Sequence, residues 1–344
     1  MLSADPEPSA RRARLAWDSS PASVNPTRPA QPPVSVAIPV LDGAGTLGQV
    51  LAAVRAQELD AELELVIIDS GSTDGSPEIA HAAGATVQQI ALTDFSHGAT
   101  RNRLMAMSGG DHVAFLTQDA VPASSRWLPE LLAGFGRAPD VALSFGPYLP
   151  RPGASPMVRR ELEDWFARMA PLHRAASPTP GPAGFFSDVN GCVARWAWEQ
   201  VPFRAVPYAE DRVLAADVLS RGWAVAYCGG AGVLHSHDYG PLALLRRAFD
   251  EGRALRELYG HRAPLHPGTL VRLARGEVTA DRAYAESTPA VRSALHHSLR
   301  LLGAGLGGRA DVLPTVLRRA LSLEGRGEFR PLDLESPARG VPAS

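Results

Sequence analysis

Five short stretches of the sequence carry side chains whose types and spacing could do chemistry. Asp69 closes an apolar run and leads into Ser70-Gly71-Ser72-Thr73-Asp74-Gly75. A carboxylate at a rigid strand end can accept hydrogen bonds from a nucleoside base or ribose; the same residues can also be a plain turn and helix cap. Asp119 ends Phe115-Leu116-Thr117-Gln118-Asp119 and projects from an equally apolar support. A hard divalent cation on a diphosphate takes one or two such carboxylates besides phosphate oxygens, although a lone acid there could simply cap the next element. Arg101 and Asn102 lie just ahead, in HGATRN. Arginine grips phosphate bidentately, yet surface arginines are common in a chain with 34 basic residues. Glu210 and Asp211 open an amphipathic run, where acids either complement a helix dipole or supply a general base. His235 and His237, two apart at a strand end, share one face and could ligate a metal or be half-buried structural residues.

A sixth stretch points elsewhere. Gly43-Ala44-Gly45-Thr46-Leu47-Gly48 is a G-x-G-x-x-G between a strand-like and a helix-like run, with Asp69 placed 21 residues beyond Gly48. That spacing fits a dinucleotide-binding loop and hence a nicotinamide or flavin oxidoreductase. Against it, Pro39 and Val40-Leu41-Asp42 separate the strand core from the first glycine, and nothing downstream offers a hydride-transfer partner.

The elements that must hold these residues alternate. VSVAIPVL, ELELVIID, ATVQQIAL, HVAFLTQD and VALSFGPYL read as strands. Leu47, Val50, Leu51 and Val54 fall on one helical face, Pro77 suits a helix first turn and Gly84 its end. ATRNRLMAMS and WLPELLAGFG also read as helices. Uniformly apolar strands alternating with helices predict an α/β fold with a mostly parallel sheet covered on both faces. Ligands of such sheets bind beyond the carboxyl ends of the strands, which is where Asp42, Asp69 and Asp119 fall. Residues 1–33, with seven prolines, read as a disordered tail, and the Pro/Gly/Ser stretch from Ala176 as a flexible loop. From 241 to 330 helical spacing dominates, predicting a helical appendage, and 331–344 read as a flexible tail.

Composition removes several classes. All 34 basic residues are arginine, so the usual Walker-type, pyridoxal-phosphate and protein-kinase machineries, each needing a lysine, are excluded. A net charge of −2 gives no pull toward nucleic acid. The two cysteines, Cys192 and Cys228, cannot build a disulfide framework, so a cytoplasmic location is expected. No apolar run is long enough to span a bilayer. Residues 271–330 hold ten arginines against six acids, which fits either peripheral contact with the inner membrane face or a solvated basic face.

In order, these motifs resemble glycosyltransferase family 2, the inverting nucleotide-sugar enzymes of GT-A (Rossmann-like) fold, over residues 35 to about 240. SVAIPVLDGAGTL stands at their first strand end, LVIIDSGSTDGS at their nucleotide-binding strand and FLTQDA at their D-x-D position. FSHGATRN, TQDA and SHDYGPLALLRRAFDEG are most similar to the rhamnosyltransferase-like branch. The resemblance implies donor contacts from Pro39, Asp42, Asp69, Ser72, Arg101, Asn102 and Gln118, with Asn190 on the acceptor side. It implies Asp211, with Glu210 the second choice, as the base that deprotonates a hydroxyl acceptor. Only the second acid of D-x-D is present, so Mg2+ or Mn2+ would rest on Asp119, the diphosphate and one of His235 and His237. The acceptor would be a glycan or lipid-linked. The other readings are the oxidoreductase and a non-catalytic sugar-nucleotide-binding protein.

Overall fold

The computed structural model describes residues 34–60, 62–175 and 181–331. The tail read at 1–33, the tail read at 331–344 except for Pro331, and residues 176–180 of the Pro/Gly/Ser stretch lie outside the described residues. Strand and helix alternate first through β1 (Val34–Val40), α1 (Ala44–Arg55), β2 (Leu63–Asp69), α2 (Ser76–Ala82), β3 (Thr86–Gln89), α3 (His97–Met107) and β4 (His112–Leu116). Next come β5 (Val121–Pro122), α4 (Trp127–Ala133), β6 (Val141–Phe145), β7 (Tyr148–Leu149), α5 (Pro156–Phe166) and β8 (Leu172–His173). They are followed by β9 (Asn190–Ala194), α6 (Arg195–Trp198), α7 (Glu210–Ser220), β10 (Ala224–Tyr227) and β11 (Val233–Leu234). Four helices end the described chain: α8 (Pro241–Tyr259), α9 (Pro267–Tyr284), α10 (Ala290–Gly307) and α11 (Thr315–Leu321).

The main sheet runs β3-β2-β1-β4-β9-β6-β10-β8. Strands β3, β2, β1, β4, β6 and β10 share one direction, as expected, while β9 is inserted antiparallel between β4 and β6 and β8 runs antiparallel at the edge. The unbroken apolar strands are explained by burial on both faces. Ala37, Val66, Ile68, Val113 and Phe115 enter one core with Leu104 and Leu214, whereas Val36, Ile38, Leu65, Ile67, Ala114 and Leu116 enter the other with Leu47, Val50 and Trp127. VALSFGPYL, read as one strand, divides into β6 and β7. Gly146 packs so tightly on the Ala231 carbonyl that a Cβ would lie 1.9 Å from its oxygen, and the following Pro147 offers no ladder N–H.

A second, three-stranded sheet, β5-β11-β7, matters more for the site than its size suggests. β11 pairs antiparallel with β5, Val233 opposite Pro122 and Leu234 opposite Val121, which sets residues 235–237 beside residues 118–120. In the C-terminal helices, α8 and α10 meet through bare backbone: a Cβ on Gly307 would lie 2.1 Å from the Phe249 carbonyl oxygen. The described residues pack as one compact unit, and no described helix is long and apolar enough to cross a membrane.

Candidate active site

The strand order reverses direction at β1, with β2 and β3 on one side and β4 on the other, and α/β sheets bind ligands beyond strand ends at such a point. The β1–β4 ladder stops at Ala37–Phe115, two residues before Pro39, so on that side the missing proline N–H interrupts nothing. Gln118 bridges the parted ends. Its Oε1 accepts from the Leu41 N–H (2.7 Å) and its Nε2 donates to the Leu41 carbonyl (2.9 Å). A Cβ on Gly43 would lie 2.8 Å from the Gln118 side chain, whereas Gly45 has nothing within 4 Å and Gly48 only a methyl at 3.8 Å. The first glycine of the fingerprint thus makes room for Gln118, and the other two meet no such demand. The N–H groups of Gly43 and Ala44 at the start of α1 donate to Ser76 Oγ and Asp74 Oδ2, each at 2.8 Å. Donors already spent in this way are not open to the pyrophosphate of a dinucleotide.

Asp42 sits at φ +47°, a conformation in which aspartate is among the tolerated residues. Its N–H donates to Ser72 Oγ and its Oδ1 accepts from the Thr73 N–H (2.9 Å), tying the loops after β1 and β2 together. Asp69 is fully buried; Oδ2 accepts from the N–H groups of Gly71 and Ser72, and Oδ1 is buried with no partner. A buried acceptor left open is costly unless something else comes to fill it.

Asp119, His235 and His237 converge, with one ligand atom from each lying within 4.8 Å of the others. The β5–β11 pairing does this, bringing both imidazoles to one carboxylate although the sequence reading needed only one. His237 Nε2 lies 3.3 Å and His235 Nε2 3.6 Å from the Asp119 carboxylate, and the two Nε2 atoms face each other at 3.2 Å. Burial alone would raise the Asp119 carboxyl, but His237, His235 and the Thr117 hydroxyl outweigh it and hold it well below the usual carboxylate range. Burial, opposed by Asp119 and aided by His237, pushes His235 down to about 4. An ionised carboxylate and a neutral imidazole are the forms that bind a divalent cation. The set of two nitrogens and one oxygen therefore fits such an ion, and Arg151 braces it by donating to the Asp119 carbonyl.

A second group gathers at the start of α7. Arg101 and Asp188 form a buried fork-to-fork pair (2.6 and 3.1 Å), and Arg101 Nε lies 4.0 Å from Glu210. Asp188 spends its charge on Arg101, which leaves Glu210 and Asp211 poorly compensated. Burial first, then the charge of Asp188, raises both: Glu210 well above its ordinary value and Asp211 up to about 6. Asp211 Oδ1 accepts from the Arg212 N–H, and the Ser187 hydroxyl also bonds its carboxylate. Ala209, just before these acids, has φ +61°; it and Asp42 are the two non-glycine residues of positive φ among the described residues. Both stand at this site, where strained backbone is held in place by its surroundings.

Two of the expected residues make other bonds. Asn102 donates to the Phe203 carbonyl and accepts from the Phe203 N–H and Trp198 Nε1, fastening the 198–203 segment. Asn190, the first residue of β9, is fully buried; it accepts from Trp127 Nε1 and donates to the carbonyls of Pro147 and Ala231. Residues not singled out from sequence also belong here. One cleft of about 360 Å³ is lined by Arg101, Asp188, Glu210 and Asp211 together with His235, and by Arg247 and Glu251 of α8. Helix α8 is therefore a wall of the site. Asp188 directly precedes the apolar-rich run from Val189 to Ala194, a local signal that its carboxylate is buried and needs a partner.

Residues 35–187 match the family model described as Glycosyl transferase family 2. The O-antigen chain rhamnosyltransferase WbaN of Salmonella anatum is 32% identical over 55% of this chain. The chain spans 61% of that relative's length. The O-antigen chain rhamnosyltransferase RfbN of Salmonella typhimurium is 31% identical over 64% of this chain and 71% of its own. A solved mannosyltransferase, PcManGT from Pyrobaculum calidifontis in complex with GDP-Man and Mn2+, aligns with a TM-score of 0.55 at 19% identity, covering 87% of this chain and 92% of that one. The shared architecture is the GT-A fold, and with motif order, family match and the extent of the RfbN alignment in agreement, the chain belongs to glycosyl transferase family 2.

Proposed function

We propose that the chain is a metal-dependent, inverting glycosyltransferase that moves a sugar, rhamnose being the first candidate, from a nucleoside diphosphate to a hydroxyl of a glycan or lipid-linked acceptor in cell-envelope synthesis. The observation that carries this reading is a single cleft with His235 of the Asp119–His235–His237 set and the Asp211 carboxylate among its walls. The names of the relatives suggest rhamnose.

Asp119, His235 and His237 would hold Mg2+ or Mn2+, which when bound supplies positive charge to the departing diphosphate. The open Oδ1 of Asp69 accepts from a base N–H, while Ser72, Asp42 and Pro39 shape the loops beneath the nucleotide. Arg101 turns a buried, unpartnered Nη1 toward a donor oxygen. Gln118 acts by positioning the loop at Leu41, Asn102 by fastening the 198–203 segment, and Asn190 by tying Trp127, Pro147 and Ala231 together. Asp211 removes the acceptor proton as the acceptor oxygen bonds to the anomeric carbon and the bond to the diphosphate breaks on the opposite face. Glu210, whose carboxyl burial and the Asp188 charge also raise, is the second choice as base.

We place the enzyme at the cytoplasmic face of the membrane. Val291, Val312 and Val316 are 83%, 70% and 77% exposed on the arginine-rich 271–330 segment, a composition suited to an anionic surface. A chain that stays at the bottom of a flotation gradient with anionic vesicles removes that part of the reading.

The main test is a panel of nucleotide sugars with Mn2+, scored by thermal stabilisation and then by product configuration. Asp119→Ala and Asp211→Asn should each abolish most turnover. If both leave it untouched, the catalytic reading fails and a sugar-nucleotide-binding protein remains.

A further inference from the structure

A second His–His–carboxylate set lies away from the cleft, between α5 and α10. Glu161, His296 and His297 place one ligand atom each within 4.8 Å of one another. Glu161 Oε1 lies 3.5 Å from His296 Nε2 and 3.4 Å from His297 Nδ1. These three atoms are buried, and none has a hydrogen-bond partner. Three buried polar atoms pointing at one another without bonding mark a place built for something else.

The surroundings favour a cation. His297 is fully buried, and its Nε2 lies 2.7 Å from Asp281 Oδ2. With Nε2 held by Asp281, the Nδ1 of His297 faces Glu161 Oε1 at 3.4 Å without a hydrogen bond, a gap that a cation between the two atoms would fill. A carboxylate behind a histidine is also the usual outer support of a metal-bound imidazole. Asp281 is itself fixed by Ser293 and by Arg160, which also binds Asp164 and Glu277. Counting Glu161, Asp281, Asp164 and Glu277 against Arg160 and Arg300 leaves two negative charges. Arg300, 3.1 Å from Glu161 and with a side chain 39% exposed, has room to swing into solvent. Glu161 borders one surface hollow and His296 another.

We infer that Glu161, His296 and His297 form a Zn2+ site that fastens the C-terminal helices to the catalytic domain. Two imidazoles, one carboxylate and a water complete the tetrahedral shell this ion prefers. The site is independent of donor binding and of the sugar transferred.

The test uses the full chain carrying Asp119→Ala and His237→Ala, which disable the cleft cluster, stripped with a chelator and titrated with Zn2+ alone or Co2+ alone. One equivalent per chain, the visible absorption of tetrahedral Co2+ and a rise of about 5 °C in melting temperature at saturating Zn2+ are expected. Adding His296→Gln or Glu161→Gln, which retain size, should remove all three. A parent chain that takes up no Zn2+ at micromolar concentration overturns the site whatever the variants do. Either folded variant that still binds a full equivalent overturns it too.

Discussion

The two histidine–carboxylate clusters contain the same chemical groups and are set in opposite surroundings. In the cleft, Asp119, His235 and His237 stand on loops beyond strand ends, and the side chain of His237 is 40% exposed. Between α5 and α10, the ligand atoms of Glu161, His296 and His297 are buried, and the side chain of His297 is 0% exposed with Asp281 behind it. A ligand set open on one side leaves coordination positions for a substrate's phosphate oxygens; a set closed by helices can serve only structure. Placement, more than ligand identity, separates the two proposed roles.

The sharpest way to break this comparison is kinetic. Asp211→Asn, which keeps the shape of the open site but removes the proposed base, should lower kcat by about 10²–10⁴-fold while Mn2+-dependent stabilisation by the donor persists. Loss of that stabilisation instead would move Asp211 from chemistry to binding. Next in size is Arg101→Ala. It leaves the buried Asp188 charge uncompensated and should cost about 3–5 kcal/mol in denaturant unfolding, far more than an exposed pair would.

A pH profile follows. The Asp211 carboxyl, raised to about 6, must be ionised to accept a proton, so kcat should fall about tenfold per unit below that value and level off above it. The stability sign is opposite to that of a salt-bridged acid. Folded Asp211 holds its proton more tightly than the unfolded chain does, so stability is lost as pH rises from about 3.8 through about 6. Asp211→Asn should therefore melt higher than the parent at pH 7 and match it below about pH 4; equal melting temperatures at pH 7 would show that the carboxylate is not strained.

The smallest effects concern the clamp beside the open cluster. Gly43→Ala drives a methyl into Gln118 and should cost about 1–3 kcal/mol and weaken donor binding. Gly45→Ala, in open space within the same motif and on a helix, should be neutral or stabilise by about 0.4–1 kcal/mol. Equal penalties at both positions would restore the cofactor-loop meaning of the glycines.

Much of this was legible early. The strand–helix alternation and the placing of Asp69 and Asp119 at strand ends depend on local patterning, which neighbouring residues express by themselves. Asn102 and Asn190 were harder to place, because an amide's partners are set by whichever backbone folds against it. For Asn102 that is Phe203, and for Asn190 it is Pro147 and Ala231, both far along the chain. Asp188 and Arg247 were not singled out for the same reason: a cleft wall is assembled from elements that share no local signal.

The sequence by itself determined the apolar strands, the residue types at their ends, the absence of lysine and the order of motifs that places the chain in its family. The folded chain alone settles which histidines meet which carboxylates, that Gly43 answers to Gln118, and that α8 walls the cleft. Periodicity and turn chemistry act over a few residues, whereas the cation sites join groups more than a hundred residues apart and the raised Asp211 carboxyl answers to burial and to Asp188, more than twenty residues away.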